Sequence, residues 1–596
     1  MAKKELSMEM RVLLAFALSA VVLVLYAPIH RKLMPPPAPA ALEDVSPEPA
    51  PGTAGKPAPA EPAPASPATA SRTRARPAAP PASALPAQTK QAGEEREMVV
   101  ENDLYRVVLS NRGGVVKSWT LKQYNDEKGG PLELVNHGAA PATGYPFSLW
   151  TEEEPLRTQL NGALFQAAST GTRAPATVTF EYSDGTVSAR KEFRFEHASY
   201  LAGVSSTVER GGEPVPHLQT WQGNFGDHAM PGAYYTVGLV SKLPANTDAK
   251  QIPHGDIDTE GVLGGGYTYA GIEDLYFAAI WMPPGGGPAD ANVATLRSFR
   301  SDVKSPDGKE TRTLIGLGVA GSHGNSFRLF VGPKALDVLN RIHPQPRAEA
   351  RLRAGQPVET LGTLVNFGWF AFIAKPLFLA LKWVHSNVVA NYGWAIVLVT
   401  VVINMILFPL KLKSMRSAMK MQKLAPQIKA IQEKYKKMKI NDPRRAQQNQ
   451  EVMGLYKQHG VNPVGGCFPM LLQMPFLFAF YKVLSLSIEM RHAPWVLWIR
   501  DLSSKDPYYV LPLVMVATMF VLQKMTPATT TDPAQQKMFL MMPLIFGVMF
   551  INVSSGLVLY WLVGNIVGIA QQWYINKVGL GASVARKPAM AGRATD

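Results

Sequence analysis

Cysteine is almost missing from this chain of 596 residues. The single one, Cys467, excludes any disulfide within the chain. Acidic residues are short as well: 45 Asp and Glu stand against 60 Lys and Arg, a formal net charge of +15. That balance suits an anionic membrane surface or nucleic acid, and position must decide between them. Catalytic signatures are also missing. There is no H-E-x-x-H, no G-x-S-x-G, no Cys/His ligand cluster and no nucleotide loop. The glycine run Gly264-Gly265-Gly266 has no Lys-Ser/Thr after it and reads as a turn. No enzyme chemistry, no cofactor and no metal site is therefore expected.

What the chain does have is segregated along its length. Residues 1–11 are polar, with Lys3, Lys4 and Arg11. Val12–Ile29 is an apolar run near the minimum that spans a bilayer as a helix. No A-x-A site follows it, so a retained anchor at 12–30 fits better than a cleaved signal peptide. The Pro/Ala-rich stretch 31–95 buries too little apolar surface to offset its ordering entropy and reads as a semi-extended spacer. Over 96–362 the period becomes two. Val178–Tyr182 and Val187–Phe195 alternate around Asp184-Gly185, a hairpin pattern. The expectation is a large antiparallel β-sandwich domain. Residues 363–388 are aromatic and apolar but carry Lys375, Pro376, Lys382 and His385. They read as an amphipathic helix in the outer interface, with Trp369 and Trp383 at headgroup level.

The C-terminal third is a polytopic α-helical block. Transmembrane helices are expected at 389–411, 462–486, 507–524, 537–552 and 555–576, six spans with the anchor. The connections are a basic hairpin at 412–461, an outer loop at 487–506, a short loop at 525–536 and a tail at 577–596. Lys423, Lys429, Lys434, Lys436, Lys437, Arg444 and Arg445 crowd the hairpin and place it in the cytoplasm. Both termini then lie inside and the β domain outside. Pro409 and Lys411 are read as ending the first span of the block. Val510–Leu522 and Met538–Ile551 are short: roughly 20 Å of helix each, against a hydrocarbon core of about 30 Å. Such spans thin the bilayer locally.

Within the hairpin, Leu424, Ile428, Ile431, Tyr435 and Met438 form a seam, and Val452, Leu455, Tyr456 and His459 can face it across an Asn441-Asp442-Pro443 turn. Its basic outer surface suits anionic headgroups or ribosomal RNA, or it serves topology alone. Within the spans, Thr400 and Asn404 share one face, and Gln473, Thr518, Gln523, Tyr560 and Asn565 add polar groups on other helices. These either glue the bundle by interhelical hydrogen bonds or line a wet cavity.

Six stretches carry a resemblance: F-V-G-P-K (330–334), N-F-G-W…A-K-P-L-F…L-K-W-V-H (366–385), N-P-V-G-G-C-F-P-M-L-L-Q-M-P (462–475), D-P-Y-Y-V-L-P (506–512), T-D-P-A-Q-Q-K (531–537) and S-G-L-V-L-Y-W (555–561). In order and along nearly the whole chain, the sequence resembles the YidC/Oxa/Alb membrane protein insertases in their Gram-negative inner-membrane form. The resemblance implies a periplasmic β-super-sandwich and a five-helix core with a hydrophilic groove open to cytoplasm and lipid. Thr400, Asn404, Gln473, Thr518, Tyr560 and Trp561 would line that groove. The hairpin and the loop 523–537 would receive nascent membrane proteins, alone or beside the Sec translocon, with the ribosome and anionic lipids as further partners and no specific DNA. The family usually has arginine where this chain has Asn404. A neutral-polar groove is therefore expected, with Lys411 about two turns nearer the cytoplasm on roughly the same face. A small-solute transporter or channel with an external β domain is the alternative, and internal repeats would favour it. None is visible.

Overall fold

The computed structural model describes residues 89–228, 237–246, 248–257, 260–304, 311–435, 444–460, 468–526 and 533–577. The anchor, most of the spacer, the Asn441-Asp442-Pro443 turn, Lys436, Lys437, Met438, Cys467 and most of the C-terminal tail lie outside these residues, and so do the side chains of Arg444 and Arg445. The chain divides into one unit of Met1–Leu85 with Asp532–Phe539 and a second of Pro86–Thr531 with Leu540–Asp596. The second carries the elements that follow, apart from residues 533–539, which belong to the first.

Among the described residues the β domain holds three antiparallel sheets. Strands β1 (Glu97–Glu101), β2 (Tyr105–Ser110), β3 (Val115–Asn125) and β4 (Pro131–Glu133) form the first, in that order. A ten-stranded sheet runs from Lys250–Pro253 at one edge to Gln166–Ser169 at the other, and a five-stranded sheet from Glu260–Tyr267 to Leu149–Trp150. The expected hairpin is present: Ala176–Ser183 pairs with Val187–Phe195, closing at Ser183 opposite Ser188. Asp184 Oδ1 accepts from the Thr186 and Val187 amides at 2.8 and 2.7 Å, and Gly185 takes φ +92°. The turn expected at Gly264-Gly265-Gly266 is instead the irregular part of a strand, where pairing with Val293–Lys304 slips between Gly264 and Tyr267. Missing side chains let a strand bulge as readily as they let it turn.

Aromatic rings join the sheets. Trp221 of the five-stranded sheet meets Trp281 of the ten-stranded sheet edge-on at 6.4 Å, and Trp119 of β3 lies 6.2 Å from Phe195. All three tryptophans are fully buried. Each such ring removes about 150–250 Å² from water, roughly 4–6 kcal/mol at ~25 cal/mol per Å², an upper bound given a compact unfolded chain.

Seven longer helices follow: α1 (Ala371–Asn387), α2 (Tyr392–Lys434), α3 (Arg444–Gln458), α4 (Phe468–Leu486), α5 (Val510–Met525), α6 (Pro533–Phe550) and α7 (Ser555–Lys577). α1 buries Ala374, Leu377, Phe378 and Leu381, while Trp369, Phe372, Leu379 and Trp383 are exposed. α2 starts at Asn391, whose Oδ1 accepts from the Trp394 amide at 3.1 Å. Asn391 Nδ2 donates to Pro494 O at 3.0 Å, and Gly393 packs so closely on Trp495 that an added Cβ would lie 2.2 Å from Cδ1. The outer loop thus seats the head of α2. The helix continues past the expected end of the span at Pro409 and Lys411, through Pro409 and Pro426, for 43 residues in all. Proline removes one internal hydrogen bond, and the apolar and hairpin contacts on either side hold the helix across it.

Among the described residues α2 is the one helix long and apolar enough to cross a membrane; α5 and α6 offer shorter apolar helices, Val510–Met525 and Gln536–Phe550. Asp506 starts α5: Oδ2 accepts from the Leu511 amide at 2.7 Å and Oδ1 from Trp498 Nε1 at 3.0 Å. α7 is the hub of the bundle. It packs on α2, α4 and α5 and buries residues from Ser555 to Ile575.

Candidate functional site

Thr400 and Asn404 lie one turn apart on α2 and both are buried, at 0 and 5% exposure. In an apolar bundle each needs a partner. Thr400 Oγ1 donates to Ile396 O at 2.6 Å, and Asn404 Nδ2 donates to Thr400 O at 2.8 Å. The remaining amide oxygen is the informative one. Asn404 Oδ1 accepts from Lys411 Nζ at 2.7 Å, and Asn404 O accepts from Gln571 Nε2 of α7 at 3.1 Å. Lys411 stands two turns further along α2, and its four-carbon stem spans the gap with the amine turned inward. Lys411 is where helical spacing placed it, and its amine lies against the asparagine that stands in the usual arginine position.

The other sequence-chosen residues fall into two separate groups. Gln473 of α4 lies beside Tyr560, whose ring stacks on Phe480 at 3.9 Å. Thr518 Oγ1 donates to Met515 O at 2.8 Å and accepts from Asn565 Nδ2 at 3.2 Å. That second pair ties α5 to α7. Trp561 joins neither group; its ring packs on Phe546 and Phe550 at 5.3 and 5.0 Å. Gln571 was missed by sequence reasoning. The available signal was its spacing: eleven residues after Tyr560, three turns of α7, it returns to the same face.

Part of the expected seam packs: Leu424 and Ile428, joined by Met421 rather than Ile431, lie against Val452, Leu455 and Tyr456. Tyr435 is buried, and its hydroxyl donates to Glu451 Oε1 at 2.7 Å. His459 turns away from the seam and is exposed. Of the candidate docking residues, Lys423 and Lys429 are exposed, whereas Lys434 pairs with Glu451 at 2.9 Å. That pair holds the Lys434 amine on the hairpin, and it raises the Lys434 pKa and lowers that of Glu451.

Two family models match the chain in sequence order. The YidC periplasmic domain matches residues 97–380, and the 60Kd inner membrane protein matches residues 383–581. Among curated relatives, a membrane protein insertase YidC of Syntrophus aciditrophicus is 35% identical over 588 residues, covering 96% of this chain and 100% of the relative. Another, from Geobacter metallireducens, is 35% identical over 522 residues, 84% of this chain and 89% of that one. A solved active YidC insertase with its first transmembrane domain resolved is 19% identical and covers 82% of this chain and 94% of that one, at a TM-score of 0.34. With both models matched and a full-length relative aligned end to end, the chain belongs to the YidC family of inner-membrane proteins, with a periplasmic β domain and a helical insertase region, and its function is membrane protein insertion.

Proposed function

We propose that insertion runs along a polar path on α2 and α7, centred on the Asn404, Lys411 and Gln571 node. Six spans carry the chain across the membrane, at 12–30, 389–411, 462–486, 507–524, 537–552 and 555–576. Both termini are cytoplasmic. The hairpin 412–461 receives nascent membrane proteins from the ribosome through Lys423, Lys429 and the basic residues around its turn, and rests on anionic headgroups. The path shelters the polar part of the substrate while its apolar segment passes to lipid, with or without the Sec translocon. No bond is made or broken, so the protein is not an enzyme. Burial of the substrate's apolar area, at ~25 cal/mol per Å², drives the step.

The observation that supports this reading is a lysine amine held on a buried asparagine within an apolar helix. Polar groups at membrane depth are costly and mark pathways. Gln473, Tyr560, Thr518 and Asn565 extend the polar surface, and Trp561 supplies an apolar wall. α5 has 16 residues, about 24 Å of helix, which favours a thinned bilayer beside the path.

The test is photocrosslinking from position 404 to a ribosome-held membrane protein. An adduct confined to the period when the apolar segment emerges is expected. Its absence, with assembly intact, removes the path. Charge at the node is tested by Lys411→Gln. Insertion of acidic-tailed substrates should fall relative to neutral-tailed ones by about threefold to tenfold, the worth of one partly screened ion pair. An equal effect on both would show that Lys411 only supports packing.

A further inference from the structure

Away from the helical path, three potential ligands converge where the β domain meets the outer loop between α4 and α5. Glu127 sits in the turn between β3 and β4; His492 and Asp501 belong to the loop. One donor atom from each lies within 4.8 Å of the other two. We propose that these residues form a binding site for a divalent transition cation, with Zn²⁺ as its best-suited occupant, linking the β domain to the loop.

The donor set carries the argument. One imidazole and two carboxylates supply three donors of types that bind zinc, leaving the fourth tetrahedral position to solvent. Tetrahedral zinc needs donors roughly 3.3 Å apart, from bonds of about 2.0–2.1 Å. His492 Nε2 and Glu127 Oε1 already stand 3.4 Å apart. Asp501 must close by up to about 1.5 Å, which requires its loop to shift with it, because its carboxylate is held by loop donors. Imidazole also disfavours Mg²⁺ and Ca²⁺, which select oxygen.

The loop is organised around these donors. The His492 amide donates to Asp501 Oδ1 at 3.1 Å. Ser503 N and Oγ donate to the same oxygen at 2.8 and 2.7 Å, and Ser504 Oγ donates to Oδ2 at 2.8 Å. Outer partners of this kind fix a ligand's orientation. His492 takes φ +55°, an uncommon backbone conformation for a residue with a side chain. Its imidazole reaches Glu127, 365 residues away in sequence. The three donors line a cavity of about 470 Å³, large enough for the waters that would complete the shell. Its walls also carry Asp126, Arg500 and Lys505. Three carboxylates against two cations leave the cavity favourable to a cation even before the imidazole coordinates. Sequence motifs could not reveal this site, because its ligands share no local spacing.

The test uses the full chain in detergent micelles, stripped with a chelator and dialysed against Zn²⁺. The expected result is about one tightly held Zn²⁺ per chain, with an absorption-edge spectrum showing nitrogen and oxygen neighbours and no sulfur. Glu127→Gln and His492→Asn should each weaken that binding at least tenfold. Both are chosen to preserve the fold: glutamine matches glutamate in shape, and asparagine tolerates the left-handed backbone. Equal melting temperatures in chelator would confirm intact folding. Zn²⁺ content unchanged in both variants, a sulfur neighbour, no stoichiometric Zn²⁺ in the parent chain, or displacement by equimolar Ca²⁺ would each overturn the proposal.

Discussion

Lys191 stands at an inward position of the strand Val187–Phe195, where alternation calls for an apolar side chain, and it is fully buried. Its Nζ donates to Gly113 O at 2.6 Å, Phe147 O at 2.7 Å and Gly114 O at 3.2 Å. Burial still pushes its pKa down to about 7. From about pH 7 to about 10.5 the unfolded chain therefore binds a proton that the native state has released. Stability must rise with pH across that window and be flat, for this group, below it. Unfolding midpoints of the full chain should show a gain of roughly 2–4 kcal/mol over the window. Lys191→Met should flatten that gain, and it should lower stability near neutral pH by about 2–4 kcal/mol because three carbonyls lose their donor. A pH profile unchanged by the substitution would assign the slope elsewhere. Asp274 behaves in the opposite sense. Burial raises its carboxyl to about 6, against three amide donors that hold it down, so stability falls as pH rises from about 4 to about 6. Gly226 shows how tight that site is. It takes φ +96°, and an added Cβ would lie 1.9 Å from Asp274 Oδ2.

The hairpin on α2 and α3 packs on a small cluster of its own. Its packed seam is a few residues deep and separate from the main core. Leu424→Ala should cost about 1–2 kcal/mol locally, below the usual core value because the cluster is small. Amide exchange should quicken along 444–458 while the β domain stays protected, as expected for a low-stability unit. Equal quickening in both would mean that the hairpin and the domain unfold together. The seam was legible in the sequence because Leu424 and Ile428 repeat at helical spacing against Val452, Leu455 and Tyr456. The β hairpin at Asp184-Gly185 was legible for the same reason, through alternation and turn chemistry. The continuity of α2 through Pro409 was not, since a proline ends a helix by local rules and only packing on both sides overrides them. Helical spacing places Lys411 on the face of Asn404, but its contact depends on a side-chain rotamer that periodicity does not encode. Gln571 escaped because its partner is 167 residues away. The buried amine of Lys191 also lay beyond a pattern reading, because alternation alone cannot tell an inward lysine from an exception to the alternation.

At the scale of the whole molecule, the β domain and the outer loop are joined by a buried ion pair. Arg491 Nη2 meets Asp227 Oδ2 at 2.5 Å, and both side chains are at most 2% exposed. The guanidinium also lies 5.5 Å from the centre of the Phe277 ring. Arg491→Met leaves a carboxylate without its cation in the interior, a loss of about 3–5 kcal/mol. Proteolysis of the outer loop should quicken accordingly, and adding Asp227→Asn should restore part of the protection. No quickening would show that the loop is held by its contacts with α2 alone. The uninterrupted α2 has a mechanical consequence. Its 23 residues from 412 to 434 continue the helix for about 35 Å past Lys411. Pivoted near its seat at Trp495 and Asn404, that helix is a lever. A tilt of about 5° over this length alone sweeps the far end through roughly 3 Å. A load placed on the hairpin is thereby geared down into sub-ångström displacements beside Asn404, and a small settling of side chains there is magnified at the tip.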